Sequence, residues 1–381
     1  YLFFISLVAM AAGILNTHDR FGAAAATPIL LNLSLITTVW FFVPDSQNGA
    51  VTLGIGVLVA GLVQLGFQFP FLKMLDRVPL PQVWPRSPED KVGAAGVGQV
   101  LKLMIPAIFG VSIAQINLLV NTILASFLVT GSVSWLYYSD RLMEFPLGVF
   151  GVALATVILP TLSRQVAKKE EESYQETLDW ALRLVFLICL PAAAALAILA
   201  FPLMVSLFQY GAFSDEDAGM ASRALVAFSI GLIGFVTVKV LAPGFYARKD
   251  THTPVLIGAI AMAVNALVAV VLVWDLAHVG LALATSAAGL VNAFLLYHRL
   301  NKLGHFSARA GWGMFLARVV LATAAMSVFL YFTQGLQSEW LDAGLVERVG
   351  RLLFLIASGG LAYLVVLYLT GLRVHQFLVR P

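Results

Sequence analysis

The stretch SVSWLYYSDRLMEFPLGVFGVALATVILP, residues 132–160, decides the fold class of this chain. It is long and apolar enough to cross a bilayer as one helix, yet it contains Asp140, Arg141 and Glu144. A charge at the middle of a bilayer costs about 2.5–3.5 kcal/mol on insertion scales, so such side chains face a protein interior or a water-filled cavity. The rest of the chain must therefore supply both a membrane-spanning bundle and a cavity.

The composition of the 381-residue chain is that of a helical membrane protein. Hydrophobic residues make up 60% of it and charged residues only 11%, and its mean hydropathy is +0.91. A soluble domain carries roughly 25% charged residues. The net charge of +3 gives no reason to expect nucleic acid as a partner. The single cysteine, Cys189, lies in an apolar run and is expected to be a small buried side chain.

Apolar runs and the breakers between them predict a partial helix followed by ten spans. The partial helix covers about 1–15, and the spans are expected at about 23–43, 49–70, 99–128, 133–162, 177–199, 221–243, 253–274, 278–299, 312–333 and 349–371. The run FPLMVSLFQYG (201–211) is too short to cross and is expected to be re-entrant or interfacial. Because the chain opens inside an apolar run, we expect a preceding part to be missing.

Basic residues are distributed unequally between alternate loops. One set of loops holds 15 of the 23 Lys and Arg residues. The other set includes the acidic run 214–217, expected to be solvated, and holds only Arg223 and Arg348, with Arg351 at the start of the next span. The positive-inside rule assigns the first set, and with it the C-terminus, to the cytoplasm.

The chain reads as two related halves followed by an addition. GILNTHDRFGAAAATPILLN (13–32) and GFYARKDTHTPVLIG (244–258) each join a helix end, a charged turn and a Thr-Pro that opens the next helix. Internal repeats are typical of transporters with a substrate path between the halves; alternatively, any two cytoplasmic turns look alike. We predict an all-α, two-lobed, inverted or pseudo-symmetric transporter bundle. Its parts are the remainder of an N-terminal lobe (1–70), a cytoplasmic amphipathic linker (71–98), a C-terminal six-helix lobe (99–300) and two additional transmembrane helices (311–373).

Helical spacing predicts a polar and small-residue stripe along the charged helix. Its members are Ser134, Tyr137, Arg141, Glu144, Gly148, Gly151 and Ala155. A guanidinium offers a planar fork of donors suited to phosphate, so Arg141 is interpreted as an anion-binding residue that Asp140 and Glu144 hold in place. The structural alternative is a local ion pair between Arg141 and Glu144 that only helps helices to pack.

Further polar residues extend the candidate site. The span at 99–128 carries Ser112, Gln115, Asn117 and Asn121. These form either one polar cavity wall or separate hydrogen bonds to a neighbouring helix, each worth roughly 0.6 kcal/mol. Lys239 is predicted to act with Asp140 as a gating or ion-pairing residue, or else to extend towards the membrane surface. The six His residues have no ligand spacing, so no metal, cofactor or catalytic residue is expected.

The segment NTILASFLVTGSVSWLYYSDRLMEFPLGVFGVALATVILPTLS (121–163) resembles the most distinctive region of the MviN/MurJ family. PAIFGVSIAQINLLVNT (106–122), VSLFQYGAFS (205–214) and VKVLAPGFYARKDTHTPV (238–255) are similar to that family too. Its members are lipid II flippases of the multidrug/oligosaccharidyl-lipid/polysaccharide exporter superfamily, built from two six-helix lobes and two additional helices. The resemblance implies that this chain moves an undecaprenyl-pyrophosphate-linked peptidoglycan precursor across the bacterial cytoplasmic (inner) membrane by alternating access.

The resemblance also implies roles for single residues. Arg141 falls on the family's cavity arginine, and Ser134 falls on a polar position nearby. The expected substrate-binding residues are thus Arg141, Ser134, Tyr137 and Glu144. Some members bind sodium through acidic side chains, but the matching positions hold Asn121 and, near Asn265, no carboxylate, which puts a sodium site in doubt. The implied partners are lipid II, membrane lipids and the cell-wall synthesis or division machinery, without nucleic acid.

Three other functions compete with this interpretation. A related exporter would carry another lipid-linked oligosaccharide or a drug, although a drug pump would need a cavity carboxylate without the neighbouring cation of Arg141. A membrane enzyme acting on polyprenyl phosphates would need clustered acids or a His near the lipid, whereas the acidic clusters here fall in loops. A cell-wall scaffold protein without transport activity would leave the polar stripe with a packing role alone.

Overall fold

The computed structural model describes residues 1–18, 20–75 and 115–372. Within them every regular element is a helix. In chain order these are α1 Leu2–Thr17, α2 Phe21–Phe41, α3 Gly49–Met74, α4 Gln115–Ser126, α5 Ser132–Pro146, a π-helical turn Leu147–Val152, α6 Ala153–Lys168, α7 Glu171–Ile198, α8 Ala200–Phe208, α9 Asp215–Ala247, α10 His252–Lys302, α11 Trp312–Thr333, α12 Gln337–Asp342 and α13 Leu345–Leu369.

The predicted class, an all-α polytopic membrane protein, is confirmed. Eight helical stretches in the described ranges are long and apolar enough to cross a membrane. Each expected span corresponds to a helix, and the span at 99–128 is described only from Gln115 onwards. The chain divides into two compact units, Tyr1–Val100 and Leu101–Pro381.

The first unit is a packed group of α1, α2 and α3. Polar side chains bond to the backbone of the neighbouring helix: the Gln64 amide donates to the carbonyl of Thr27 at 2.8 Å, and the Ser34 hydroxyl donates to Gly56 at 3.1 Å. Such bonds hold helices together in a bilayer, where lipid tails compete for apolar contacts but offer no hydrogen bonds.

The second unit is built around α9, which packs against α5, α6, α7, α8 and α10. Small residues let α9 and α10 approach closely, because a Cβ placed on Gly234 would lie 2.7 Å from the backbone carbonyl carbon of Gly289. The Ser286 hydroxyl donates across the same contact to the carbonyl of Ala227 at 2.7 Å. This contact brings the polar face of α10 next to α9.

The two spans expected at 253–274 and 278–299 meet without a loop. They run as α10, which is interrupted only at Ala277, where φ is 48° and ψ is −130°. The next residue, His278, is buried, with Nε2 3.0 Å from the carbonyl oxygen of Met220 and its ring centroid 4.9 Å from that of Trp135. These contacts hold a backbone conformation that an alanine otherwise avoids.

The acidic run 214–217 is largely exposed, as expected for a solvated face, but it starts α9 rather than forming a loop. Ser214 caps α9: its hydroxyl accepts a hydrogen bond from the Asp217 N–H at 3.2 Å, while the Asp217 carboxylate accepts from the Ser214 N–H at 2.8 Å. The same carboxylate accepts from the Trp135 indole at 2.7 Å. Acids in a first helical turn also complement the helix dipole, so this run starts α9 and ties it to α5.

The short apolar run at 201–211 forms α8, a nine-residue helix that packs against α9 and α13. Its length is too small to cross a bilayer, as the sequence indicated. The two C-terminal helices, α11 and α13, pack against each other and against α7. The Tyr363 hydroxyl in α13 donates to the carbonyl of Leu187 at 2.7 Å, which fixes this pair to the bundle.

Candidate functional site

A π-helical turn interrupts the charged helix directly after Pro146. Proline lacks the N–H that an α-helical bond would need, and a wider turn is one way to continue the helix past it. The turn changes the direction of the side chains that follow. Gly148 is exposed, whereas Gly151 is buried against Leu147 and Lys239, so a face shared by Gly151 and Arg141 stays a prediction. The exposed polar stripe ends within the π-turn.

Arg141 lies half-exposed on α5 between two acidic residues. Its Nη1 donates to Glu144 Oε2 at 2.6 Å, its Nη2 is 3.9 Å from Asp140 Oδ2, and its Cζ lies 5.1 Å from the Tyr137 ring centroid. The local ion pair proposed as the structural alternative is therefore present. The Arg141 side chain is nevertheless 51% exposed, and an exposed pair of this kind stabilises a fold by about 1 kcal/mol at most. Most of the fork remains available to a ligand.

A cavity of about 330 Å³ opens beside Arg141. Its polar lining comes from α4, α5 and α10: Asn117, Asn121, Thr122, Tyr137, Asp140, Arg141 and Thr285. Four of the predicted site residues in the described ranges do not line it: Lys239 and the exposed residues Ser134, Glu144 and Gln115. Ser112 lies outside the described residues. The structure thus brings Arg141, Tyr137, Asp140 and Asn121 together.

A second cavity, of about 530 Å³, adjoins the first and shares Asn117 and Thr285 with it. Lys239 and Tyr246 from α9 and Asn292 from α10 line it. Asp140 lines the first cavity, beside Arg141, and Lys239 lines the second. In the described ranges no ion pair joins Lys239 to an acid, so the gating role remains a prediction.

The wall shared by both cavities is held by neutral hydrogen bonds. The amides of Asn121 and Asn265 each donate to the Thr285 hydroxyl at 3.1 Å, and that hydroxyl donates to the carbonyl of Leu281 at 3.0 Å. The side-chain oxygens of Asn117, Asn121 and Asn265 are buried without a hydrogen-bond partner in the described part of the chain. The positions where the resemblance led us to look for carboxylates are thus joined through amide and hydroxyl groups.

The polar residues that α10 contributes to the cavity wall were not predicted from the sequence. Thr285 and Asn292 are seven residues apart, which puts them on one helical face two turns from each other. The same spacing relates Lys239 to Tyr246 on α9. A search for polar residues at this spacing would have found both pairs, whereas isolated Thr and Asn residues in a span read as helix-packing groups.

A family model described as lipid II flippase MurJ matches residues 1–349 of the chain. The chain belongs to the MurJ family. It is 42% identical to the probable lipid II flippase MurJ of Haemophilus influenzae, with 100% of this chain and 74% of that protein covered. It is 43% identical to the Vibrio cholerae protein of the same description, with 99% and 70% covered. The family identified from residues 106–163, 205–214 and 238–255 is confirmed.

Solved structures agree on the fold. A lipid II flippase MurJ in an inward closed conformation superposes with a TM-score of 0.75 at 24% identity, covering 95% of this chain and 70% of that one. A mutant of the Vibrio cholerae MATE transporter VcmN gives a TM-score of 0.56 at 15% identity, covering 78% and 65%. This member of the MurJ family therefore has the transporter fold that its sequence predicted.

Proposed function

We propose that this chain moves lipid II from the inner to the outer leaflet of the bacterial cytoplasmic membrane by alternating access. Membership of the MurJ family supports the substrate and the transport. The observation that carries the proposal for this chain is a half-exposed Arg141 opening into a cavity within a membrane-spanning lobe. Glu144 compensates Arg141 through one N–H group, and the exposed remainder of the guanidinium fork suits a pyrophosphate headgroup.

Arg141 binds the pyrophosphate through the part of its fork that Glu144 leaves free. Glu144 Oε2 lies 2.6 Å from Arg141 Nη1, and the Tyr137 ring lies against the guanidinium. An arriving diphosphate takes the remaining N–H groups and competes with Glu144 for the first. The carboxylates of Asp140 and Glu144 repel the same anion, which favours its release once the cavity opens on the other side. These acids therefore keep the site from binding its cargo too tightly.

The proposed orientation follows the distribution of basic residues, with the C-terminus in the cytoplasm. Arg141 is nine residues from the start of α5, about 13 Å along the helix from its outer end. An inside-negative potential then favours outward movement of an anionic headgroup by about 2.3 kcal/mol per charge per 100 mV. The proposed moving parts are the lobes 1–70 and 99–300, joined by the linker 71–98.

The other proposed partners, membrane lipids and the cell-wall machinery, follow from lipid II as the substrate. The helices of 311–373 expose large apolar side chains, among them Phe332, Phe354 and Leu361, which suit contact with lipid chains. The cell-wall synthesis and division machinery is a proposed partner on the ground of the substrate alone. We propose transport without a covalent step, so no cofactor enters the cycle.

The proposal is tested by complementation of cells depleted of their own flippase. Full-length protein carrying Arg141→Ala should insert at the wild-type level and fail to support growth, because the pyrophosphate loses its cation. Arg141→Lys keeps the charge but loses the fork and should support slow growth. Arg223→Ala removes an exposed arginine that lines neither cavity and should grow normally. Normal growth of the Arg141→Ala strain would contradict the proposed site.

A further inference from the structure

The second cavity contains a cation that the proposed headgroup site does not use. Lys239 is exposed and lines this cavity of about 530 Å³, and within the described ranges no acid forms an ion pair with it. A lysine inside a membrane-spanning bundle carries a cost that is usually offset by a partner or by a function. Here the open space in front of the ammonium group leaves room for an anion.

The π-turn shapes the floor beneath Lys239. A Cβ on Gly151 would lie 3.6 Å from Lys239 Cγ and 3.2 Å from Leu147 Cδ1, so the lysine stem runs directly over a residue without a side chain. The opposite wall is built from small residues of α10, Gly258, Ala288 and Gly289 among them. The second cavity is open because the side chains at these positions are absent or small.

Hydrogen-bonding groups accompany the lysine. Tyr246 lies seven residues further along α9, on the same face and about 10 Å away along the helix axis. Its side chain is 41% exposed and lines the cavity. Asn292 lines the same cavity and adds a side-chain NH₂ group that can donate to an anion. A cation, a phenol and an amide together form a surface that suits a phosphate group.

The end of α9 that carries these residues is firmly anchored. Arg248 forms an ion pair with Glu171 at the start of α7, and its guanidinium lies 4.4 Å from the ring centroid of Tyr174. The Tyr174 hydroxyl donates to the carbonyl of Gly244 at 2.9 Å. These contacts hold the end of α9 that carries Lys239 and Tyr246 against α7.

We propose that Lys239 is a second binding station for the pyrophosphate of the transported lipid, on the cytoplasmic side of Arg141. This inference rests on the proposed function. Lys239 is eight residues from the cytoplasmic end of α9, and Arg141 is nine from the outer end of α5. The two cavities meet at Asn117 and Thr285, so the headgroup passes from the lysine to the arginine along one wall. Two moderate sites in series allow both entry and exit, whereas a single tight site would retain its cargo.

The test uses full-length protein in vesicles that contain fluorescent lipid II. The initial rate of lipid II transfer is measured against lipid II content for Lys239→Gln, Lys239→Arg and the matched control Lys302→Gln, an exposed lysine outside both cavities. Lys239→Gln should raise the half-saturating content about tenfold, as expected for the loss of one charged hydrogen bond. Its maximal rate should change little, and Lys239→Arg and Lys302→Gln should behave like wild type.

Other results would overturn the station. If Lys239→Gln leaves the half-saturating lipid II content unchanged, Lys239 does not bind the pyrophosphate. If Lys239→Gln and Lys239→Arg both lower only the maximal rate, Lys239 has a packing role instead. If wild-type protein transfers no lipid II, the proposed function fails instead. In that case binding of undecaprenyl pyrophosphate to detergent-solubilised protein decides: weaker binding by Lys239→Gln than by Lys302→Gln supports a phosphate station, and equal binding refutes it.

Discussion

Replacing Asp179 by Ala is expected to loosen the attachment of α11 to α7. Asp179 is buried in α7, and its carboxylate accepts three hydrogen bonds: from Arg183 Nε at 2.7 Å, from the Trp312 indole at 2.6 Å and from the Arg309 N–H at 3.4 Å. The Arg183 guanidinium in turn lies 5.1 Å from the Trp312 ring centroid. One carboxylate thus joins α7, the segment before α11 and the first residue of α11.

The cost can be estimated from this geometry. Removing one partner of a buried ion pair costs about 3–5 kcal/mol, because the other charge is left unpaired. The Arg183 side chain retains 18% exposure, so we expect about 3 kcal/mol for Asp179→Ala, near the lower end of that range. Asp179→Asn keeps an acceptor for the Trp312 indole and loses only the charge, so it should cost about half as much. The double change Asp179→Ala with Arg183→Met should recover part of the loss.

The assay is unfolding of the detergent-solubilised full-length protein, followed by tryptophan fluorescence during denaturant titration. The matched control is Glu172→Ala, since the Glu172 side chain is 87% exposed and lies 3.7 Å from Arg309; it should cost less than about 1 kcal/mol. An Asp179→Ala protein as stable as this control would show that the Asp179 carboxylate does not hold α11 to α7. So would a double variant that loses as much as the two single changes added together.

Three further predictions concern packing, topology and pH. Gly234→Ala should destabilise the protein, because its Cβ would lie 2.7 Å from the backbone of Gly289. The control Gly219→Ala lies on the same helix with open space around it and should stabilise the protein by about 0.5–1 kcal/mol. Equal unfolding midpoints of the two variants would count against the close α9–α10 contact. A cysteine at Gln47 should react with an impermeant thiol reagent added outside intact cells and one at Lys302 should not, and the opposite labelling would overturn the proposed orientation. Partial burial and the nearby Arg248 guanidinium lower the pKa of His305 below its usual 6.5, so protonation opposes the folded state and stability should fall as the pH drops below about 6.5. His305→Gln should flatten that slope in pH-dependent unfolding, and an unchanged slope would exclude His305 as its source.

The spans could be predicted from the sequence because each is a long apolar run that must satisfy its backbone inside the bilayer. The kink at Ala277 could not be predicted, because it depends on contacts that His278 makes with Met220 and Trp135, far away in sequence. The capping box at Ser214 did carry a local signal, a serine followed three residues later by an acid. It was overlooked because four polar residues in a row resemble a loop.

The candidate site divides in the same way. Arg141 stands out in the sequence because a charge in an apolar helix demands an explanation. Thr285 does not stand out, since a lone threonine in a span usually bonds its own helix. Its place in the cavity wall follows only from the approach of α10 to α4, through the hydrogen bond with Asn121. The π-turn after Pro146 was equally hidden, because a proline within a span is compatible with several local geometries.

The most direct test of the account measures how much lipid II is accessible at the outer face of cells depleted of their own flippase. The cells receive the full-length protein, either wild type or with Arg141→Ala, at matched levels in the membrane. Wild type should restore exposure of lipid II, and the Arg141→Ala protein should not. Equal restoration by both proteins would contradict this prediction and would reduce Arg141, Asp140 and Glu144 to a group that packs helices.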